Sequence, residues 1–244
     1  MTKPTRIAMW SGPRNISTTM MRAFGNREDT FASDEPFYGY FLQTTNIDHP
    51  MKDEIISKYQ TNWSDIKDYL TGPIPNNKPI WYQKQMTQHL LPNDSIEWTD
   101  KVTNCFLIRD PKDVIISYAK IYDKMTPDLL GFPQLLKVFN YTLKNSEVKP
   151  IVINSRSILK NPKSMLKTLC KSLDISFSNK MLTWEEGPKE YEGIWGKYWY
   201  KQLHLTTGFI KYEKKDKTIP DSLLKLYNEC NHYYNQIKEY QIRC

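Results

Sequence analysis

Trp10-Ser-Gly-Pro-Arg-Asn-Ile-Ser-Thr-Thr19 is the stretch on which the fold turns. It follows a short apolar run at residues 6–10. It leads into residues 17–26, where Met20, Met21, Ala23 and Phe24 share one apolar side. The order is strand, tight loop, helix. A loop entering a helix N-terminus presents unpaired N–H groups and the positive end of the helix dipole. Both suit phosphate oxygens. Ser17, Thr18 and Thr19 add hydroxyl donors, and Arg14 adds a forked cation. A plain Ser/Thr-capped helix would look the same, so on this stretch alone both readings stay open.

The rest of the chain repeats the pattern. Residues 30–33 read as a second strand ending at Asp34-Glu35-Pro36, residues 79–83 as a third, 102–108 as a fourth and 150–153 as a fifth. Between them lie helical segments. The stretch 37–70 is broken near His49-Pro50 and suits a flap over one sheet edge. Asp110-Pro111 starts a helix through Tyr122, with Asp as N-cap and Pro in the first turn. Residues 132–144 and 162–173 read as helices. Residues 184–208, rich in Trp, Tyr and Gly, read as loop. Residues 220–240 read as a helix with Leu223, Leu224, Leu226, Tyr227, Tyr234 and Ile237 inward. Alternating strands and helices predict an α/β three-layer sandwich around a parallel sheet. Ligands on such sheets sit beyond the carboxyl ends of the strands. That rule selects residues 11–19, Asp34-Glu35, Lys84 and Arg109-Asp110 for one cleft.

Composition limits the function. The 244 residues suit one domain with its own core. The net charge of +7 favours anionic partners, but the basic residues are scattered. Nucleic-acid binders concentrate theirs. The run 211–217 alternates with Glu213 and Asp216 and reads as a solvated loop. Cys105, Cys170, Cys230 and Cys244 form no CxxC pair, so zinc and redox motifs are unsupported. Without a signal peptide or long apolar span, the expectation is a cytoplasmic protein with no membrane or nucleic-acid partner. Oligomeric state is not legible.

The loop does not fit GxxxxGK[ST]. Counted from Gly12, the Gly and Lys places hold Ser17 and Thr18. Counted from Ser11, they hold Ile16 and Ser17. The lysine and the Mg²⁺-binding pattern of an ATP site are missing. The loop instead resembles that of the sulfotransferase family, P-[KR]-S-G-[ST]-[ST]. Pro13, Arg14, Ser17 and Thr18 match, while Asn15 and Ile16 depart. Ile resists the left-handed backbone that Gly permits, which predicts a differently shaped loop. A second match is Arg109-Asp-Pro-Lys-Asp-Val-Ile-Ile-Ser117, against the family's R-[DN]-P-x-[DE]-x-x-x-S. About two helical turns separate Ser117 from the cap, so it returns to the same face. A third is Asp34-Glu35-Pro36-Phe37, similar to the Glu-Pro of some bacterial carbohydrate sulfotransferases. Pro36 predicts an extended Glu35 aimed out of the strand end. The segment Glu192-Gly-Ile-Trp-Gly-Lys-Tyr198 resembles the family's late Gly-x-Trp-Lys.

The resemblance implies a P-loop NTPase-like, sulfotransferase-like fold. It implies transfer of a sulfuryl group from 3′-phosphoadenosine 5′-phosphosulfate (PAPS) to a hydroxyl or amine of a small acceptor, without a metal. In that reading Arg14, Asn15, Ile16, Ser17, Thr18 and Thr19 hold the 5′ end. Arg109 and Ser117 hold the 3′-phosphate, Trp195 stacks on adenine and Lys197 approaches the 3′-phosphate. Glu35 is the base, with His89 a second candidate, and Arg14 and Lys84 stabilise the oxygens of the transferring group. The aromatics and Asp48-His49 of the 37–70 stretch face the acceptor. No lysine stands out as a Schiff-base candidate for pyridoxal phosphate. The rival readings are a nucleotide-binding P-loop protein without this activity and an ATP-dependent phosphotransferase.

Overall fold

The strands β1 (Thr5–Ser11), β2 (Thr30–Asp34), β3 (Ile80–Met86), β4 (Thr103–Ile108) and β5 (Ile151–Asn154) form one all-parallel sheet. Their order is β2-β3-β1-β4-β5. The helices are α1 (Ser17–Gly25), α2 (Tyr38–Thr45), α3 (Lys52–Lys58), α4 (Trp63–Thr71), α5 (Pro111–Tyr118), α6 (Phe132–Asn145), α7 (Ser155–Lys160), α8 (Pro162–Ser172), α9 (Gly196–Trp199), α10 (Lys201–His204) and α11 (Leu224–Lys238). This computed structural model describes residues 4–213 and 218–243. Part of the charged run 211–217, and Cys244, fall outside them.

Strand alternation builds two cores, one on each face of the sheet. Ala8, Trp10, Trp81, Phe106, Ile108 and Val152 point to one face. There they meet Val114 and Ile115 of α5, Leu135, Val138 and Phe139 of α6, and Cys230, Tyr234 and Ile237 of α11. Ile7, Met9, Tyr82, Cys105, Leu107 and Ile153 point to the other. There they meet Met20, Met21 and Phe24 of α1, with Leu166 and Leu169 of α8. Each fully buried large side chain contributes about 1.5–3 kcal/mol. The result is the predicted three-layer sandwich.

The details differ from the sequence reading in four places. The helix begun by Asp110, whose side chain accepts from the Lys112 amide, stops at Tyr118. One further turn follows, in which the Ile121 and Tyr122 amides both donate to the Tyr118 carbonyl. The stretch 184–208 is not all loop, because α9 and α10 lie within it. The helix α7 was not foreseen; it is capped by Asn154, which accepts from the Arg156 amide at 2.9 Å. In α11, Leu224 is 46% exposed rather than inward, and Cys230 takes an inward place. The helix starts at Leu224 itself, before its buried stripe begins.

Candidate functional site

The carboxyl ends of β1, β2, β3 and β4 border one cleft of about 410 Å³. Its wall includes residues 13–19, Glu35, Lys84, His89, Arg109 and Ser117. Four separate strand ends, chosen from sequence by topology, thus meet.

The loop at 11–19 has the shape that glycine usually supplies, without the glycine. Ile16 caps α1 in the left-handed region, at φ 49° and ψ 18°, and Arg14 is left-handed too, at φ 59°. The expectation that Ile16 would impose a different loop is therefore corrected. A β-branched residue persists there only when its surroundings over-determine it, and they do. Asn15, 4% exposed, donates from Nδ2 to the Leu107 carbonyl at 2.5 Å. Arg109 donates from a guanidinium nitrogen to the Arg14 carbonyl. The Ile16 carbonyl accepts from the Met20 amide at 3.0 Å. Gly12 lies so close to Leu130 that a Cβ would meet its carbonyl oxygen at 2.4 Å. The end of β4 thus clamps the loop. No side chain caps the N-terminus of α1, which leaves its first amides facing the cleft.

Arg14, Arg109 and Ser117 form one connected group. Arg14 Nε donates to Ser117 Oγ at 3.0 Å, and Arg109 braces the Arg14 backbone. Burial lowers the Arg109 guanidinium from its ordinary value; Asp113 opposes this, and the charges of Arg14 and Arg156 add to it. Cations crowded this way favour an anion between them.

At the other end, Asp34 and Lys84 are direct register partners of β2 and β3. Lys84 Nζ, 1% exposed, lies 2.9 Å from Asp34 Oδ1 and also contacts Glu35 Oε1. Tyr200 hydroxyl reaches both carboxylates, at 3.0 Å and 3.2 Å, and Lys84 at 2.8 Å. Asp34 Oδ2 accepts from the Gly193 amide at 3.0 Å. Burial, reinforced by Glu35, pushes Asp34 above its ordinary range against the pull of Lys84. Burial opposes the charge on Lys84, but the two carboxylates outweigh it and hold the ammonium above its usual value.

Glu35 does not take the extended backbone that Pro36 predicts; its φ is 44°. Its amide makes the last ladder bond, to the Lys84 carbonyl at 3.1 Å. Its carbonyl then accepts from the Tyr38 amide at 3.0 Å. The two bonds turn the chain and aim the carboxylate into the cleft. His89, 2% exposed, places Nε2 3.9 Å from Glu35 Oε2, so both base candidates share the site. Burial, with His49 and Lys84 nearby, drives His89 well below its ordinary value and keeps the ring neutral.

Two expected site residues lie elsewhere. Trp195 is 1% exposed and packs among Tyr38, Tyr59 and Tyr200, with Nε1 donating to Tyr200 at 3.1 Å. It has no open face for a base. Lys197 is exposed and does not line the cleft. The aromatics that this stretch presents to the cleft are Trp199 and Tyr200, four and five residues on. Reasoning from sequence also passed over Tyr200, Tyr118 and Tyr122. Their only signal was the local density of aromatic residues.

A parallel sheet, with a tight loop leading from its first strand into an uncapped first helix, defines a P-loop-like α/β protein. A family model described as "Sulfotransferase domain" matches residues 5–239, and the chain belongs to the sulfotransferase family. It is similar in structure to the sulfotransferase domain from the curacin biosynthetic pathway, with TM-score 0.55 and 16% identity over 98% of this chain and 99% of that one. It is also similar to a sulfotransferase from Alicyclobacillus acidocaldarius, with TM-score 0.54 and 8% identity over 96% of each chain. At those identities the likeness speaks for the fold. In sequence, it is 33% identical over 233 residues to branched-chain-amino-acid aminotransferase-like protein 2 of Arabidopsis thaliana, covering 95% of this chain and 41% of that one. The chain spans less than half the length of the curated relatives it matches.

Proposed function

We propose that this chain transfers a sulfuryl group from PAPS to a hydroxyl or amine of a small acceptor. The observation that carries the reading is the two-ended cleft. Uncapped amides of α1 and the Arg14–Ser117–Arg109 group stand at one end, and Glu35 stands at the other. The amides and Ser17–Thr19 hydroxyls suit the 5′ end of the nucleotide, while Arg109 and Ser117 suit its 3′-phosphate. When bound, PAPS supplies a sulfuryl group activated on its 5′-phosphate.

Glu35 takes the acceptor's proton as the new bond to sulfur forms and the S–O bond to the 5′-phosphate breaks. Arg14 and the α1 amides face the phosphate oxygen that keeps the electron pair. Protonation of Glu35 weakens its hold on Lys84, whose charge is then available to the oxygens of the transferring group. Lys84 is held protonated between two carboxylates, which is the wrong state for forming a Schiff base. The reading takes the chain as a single domain acting in the cytoplasm without a metal.

Calorimetry with 3′-phosphoadenosine 5′-phosphate (PAP) tests the donor assignment. Binding that needs the 3′-phosphate and no Mg²⁺ supports it. A preference for ATP with Mg²⁺ overturns it in favour of phosphotransfer. Turnover with a working acceptor then separates an enzyme from a binding module. Glu35→Gln abolishes that turnover if Glu35 is the base, and unchanged turnover removes it from the role.

A further inference from the structure

The Tyr200 hydroxyl is surrounded by protein groups. Lys84 Nζ donates to it at 2.8 Å and Trp195 Nε1 at 3.1 Å. Both of its acceptor positions are thereby taken. Its single proton faces both oxygens of Asp34 at 3.0 Å and Glu35 Oε1 at 3.2 Å. Burial, with the two carboxylates beside it, holds the phenol well above its ordinary value, so the proton stays. Lys84 has three N–H groups and spends them on Asp34, Glu35 and Tyr200.

The segment that carries Tyr200 is fixed at both ends of the site. Glu192 Oε1 accepts from Arg22 Nε of α1 at 2.8 Å, and neither side chain is more than 3% exposed. The same arginine donates from Nη2 to the Gly187 carbonyl at 2.7 Å. The next amide, that of Gly193, is bound to Asp34 of β2. A Cβ on Gly193 would meet the Trp195 ring at 2.2 Å, so the glycine makes room for that ring. Then α9 turns once, and the Tyr200 amide donates to the Gly196 carbonyl at 3.0 Å. The turn brings the phenol back to Trp195. Tyr200 therefore takes its place from α1, whose N-terminus faces the donor end, and from β2, which leads to the acid end.

Resting on the sulfuryl-transfer reading, we infer that Tyr200 is a positioning residue whose hydroxyl aims Glu35 and Lys84 at the reacting groups. Tyr200 and Asp34 hold two of the three Lys84 hydrogens, which leaves the third one direction, towards Glu35. When Glu35 takes the acceptor's proton, that third N–H is released on the side where Glu35 lines the cleft. Without the hydroxyl, the ammonium and the carboxylate each lose a fixed partner and settle on each other out of line.

Tyr200→Phe keeps the ring and removes the hydroxyl. The probe is radiolabelled PAPS with water as the acceptor. The water oxygen bonds to sulfur, its proton goes to Glu35, the S–O bond to the 5′-phosphate breaks, and sulfate and PAP leave. The variant is expected to release sulfate at least about tenfold more slowly, the scale of one hydrogen bond to a charged group. PAP affinity, read by calorimetry, stays at the wild-type level. Tyr200→p-aminophenylalanine, which restores a donor of the same reach, recovers most of the rate. Crystal structures of wild type and Tyr200→Phe show Glu35 and Lys84 displaced in the variant, and they decide the matter where hydrolysis is too slow to time. An unchanged rate, unchanged positions, or a matching fall in PAP affinity overturns the role of Tyr200 and leaves the sulfuryl-transfer reading standing. If the wild type neither binds PAP nor releases sulfate, that reading falls, and the two crystal structures still judge Tyr200.

Discussion

Asp34 and Lys84 sit opposite each other in the register of β2 and β3, and their side chains close at 2.9 Å with almost no solvent access. This ion pair fixes the floor of the cleft before any ligand arrives. A buried charge whose partner is removed keeps its desolvation penalty. Asp34→Asn therefore costs about 3 kcal/mol of stability, since Glu35 still answers part of the Lys84 charge. Urea unfolding reads this directly. A loss below about 1 kcal/mol would show that Glu35 alone satisfies Lys84.

Arg109 is predicted to act through geometry as well as charge. It braces the Arg14 carbonyl while presenting the rest of its fork to the cleft. Arg109→Lys keeps the charge and loses the fork. PAP affinity falls by about tenfold, on the scale of one charge-assisted hydrogen bond. Binding of adenosine 5′-phosphosulfate, which lacks the 3′-phosphate, falls much less. Equal losses for both ligands would place Arg109 at the 5′ end instead.

Stability falls on the acid side. His89 and His49 have lowered values in the folded chain, with burial as the main cause. Above about pH 6.5 both states hold these rings neutral, and their contribution is fully present. As pH falls below that, the unfolded chain takes up protons that the folded chain refuses, and stability drops. His89 faces Glu35, His49 and Lys84, so the comparison is made within one background. His89→Phe, seated between Tyr38 and Phe41, flattens the loss between pH 7.5 and pH 5.5. Identical slopes in denaturant midpoint for both proteins would count against a neutral buried His89.

Gly12→Ala probes the clamp on the loop. The added methyl group would lie 2.4 Å from the Leu130 carbonyl, and neither backbone can yield alone. A destabilisation of about 1–3 kcal/mol follows, the usual cost of overpacking. PAP affinity drops with it, because α1 and its amides move. A variant with wild-type melting and wild-type affinity would mean that the close approach of Leu130 does not hold the loop.

Much of this was legible in the sequence because topology does the placing. Once the strands alternate with helices, the residues after each strand must share one edge of the sheet. That is why Arg14, Glu35, Lys84 and Arg109 could be grouped without contacts. Backbone torsions were not legible. Propensity disfavours Ile16 and Glu35 in left-handed conformations, and only the hydrogen bonds of Asn15, Arg109 and the Lys84 carbonyl override it. The late aromatic segment was misassigned for a related reason. Trp195 and Trp199 are one helical turn apart, and only the packing of Trp195 against Tyr38 and Tyr59 decides which one faces the cleft.

Asp34 accepts a hydrogen bond from Gly193, 159 residues downstream, and one from Tyr200, 166 residues downstream. All five strands are complete by Asn154. A chain leaving the ribosome therefore owns its whole sheet, with loop and cations, well before it owns the residues that close the floor of its cleft. Contacts so distant form late, after their loop entropy has been met. A chain grown only as far as Asn154 has the loop and its cations, but the floor of its cleft stays open until Gly193 and Tyr200 reach Asp34.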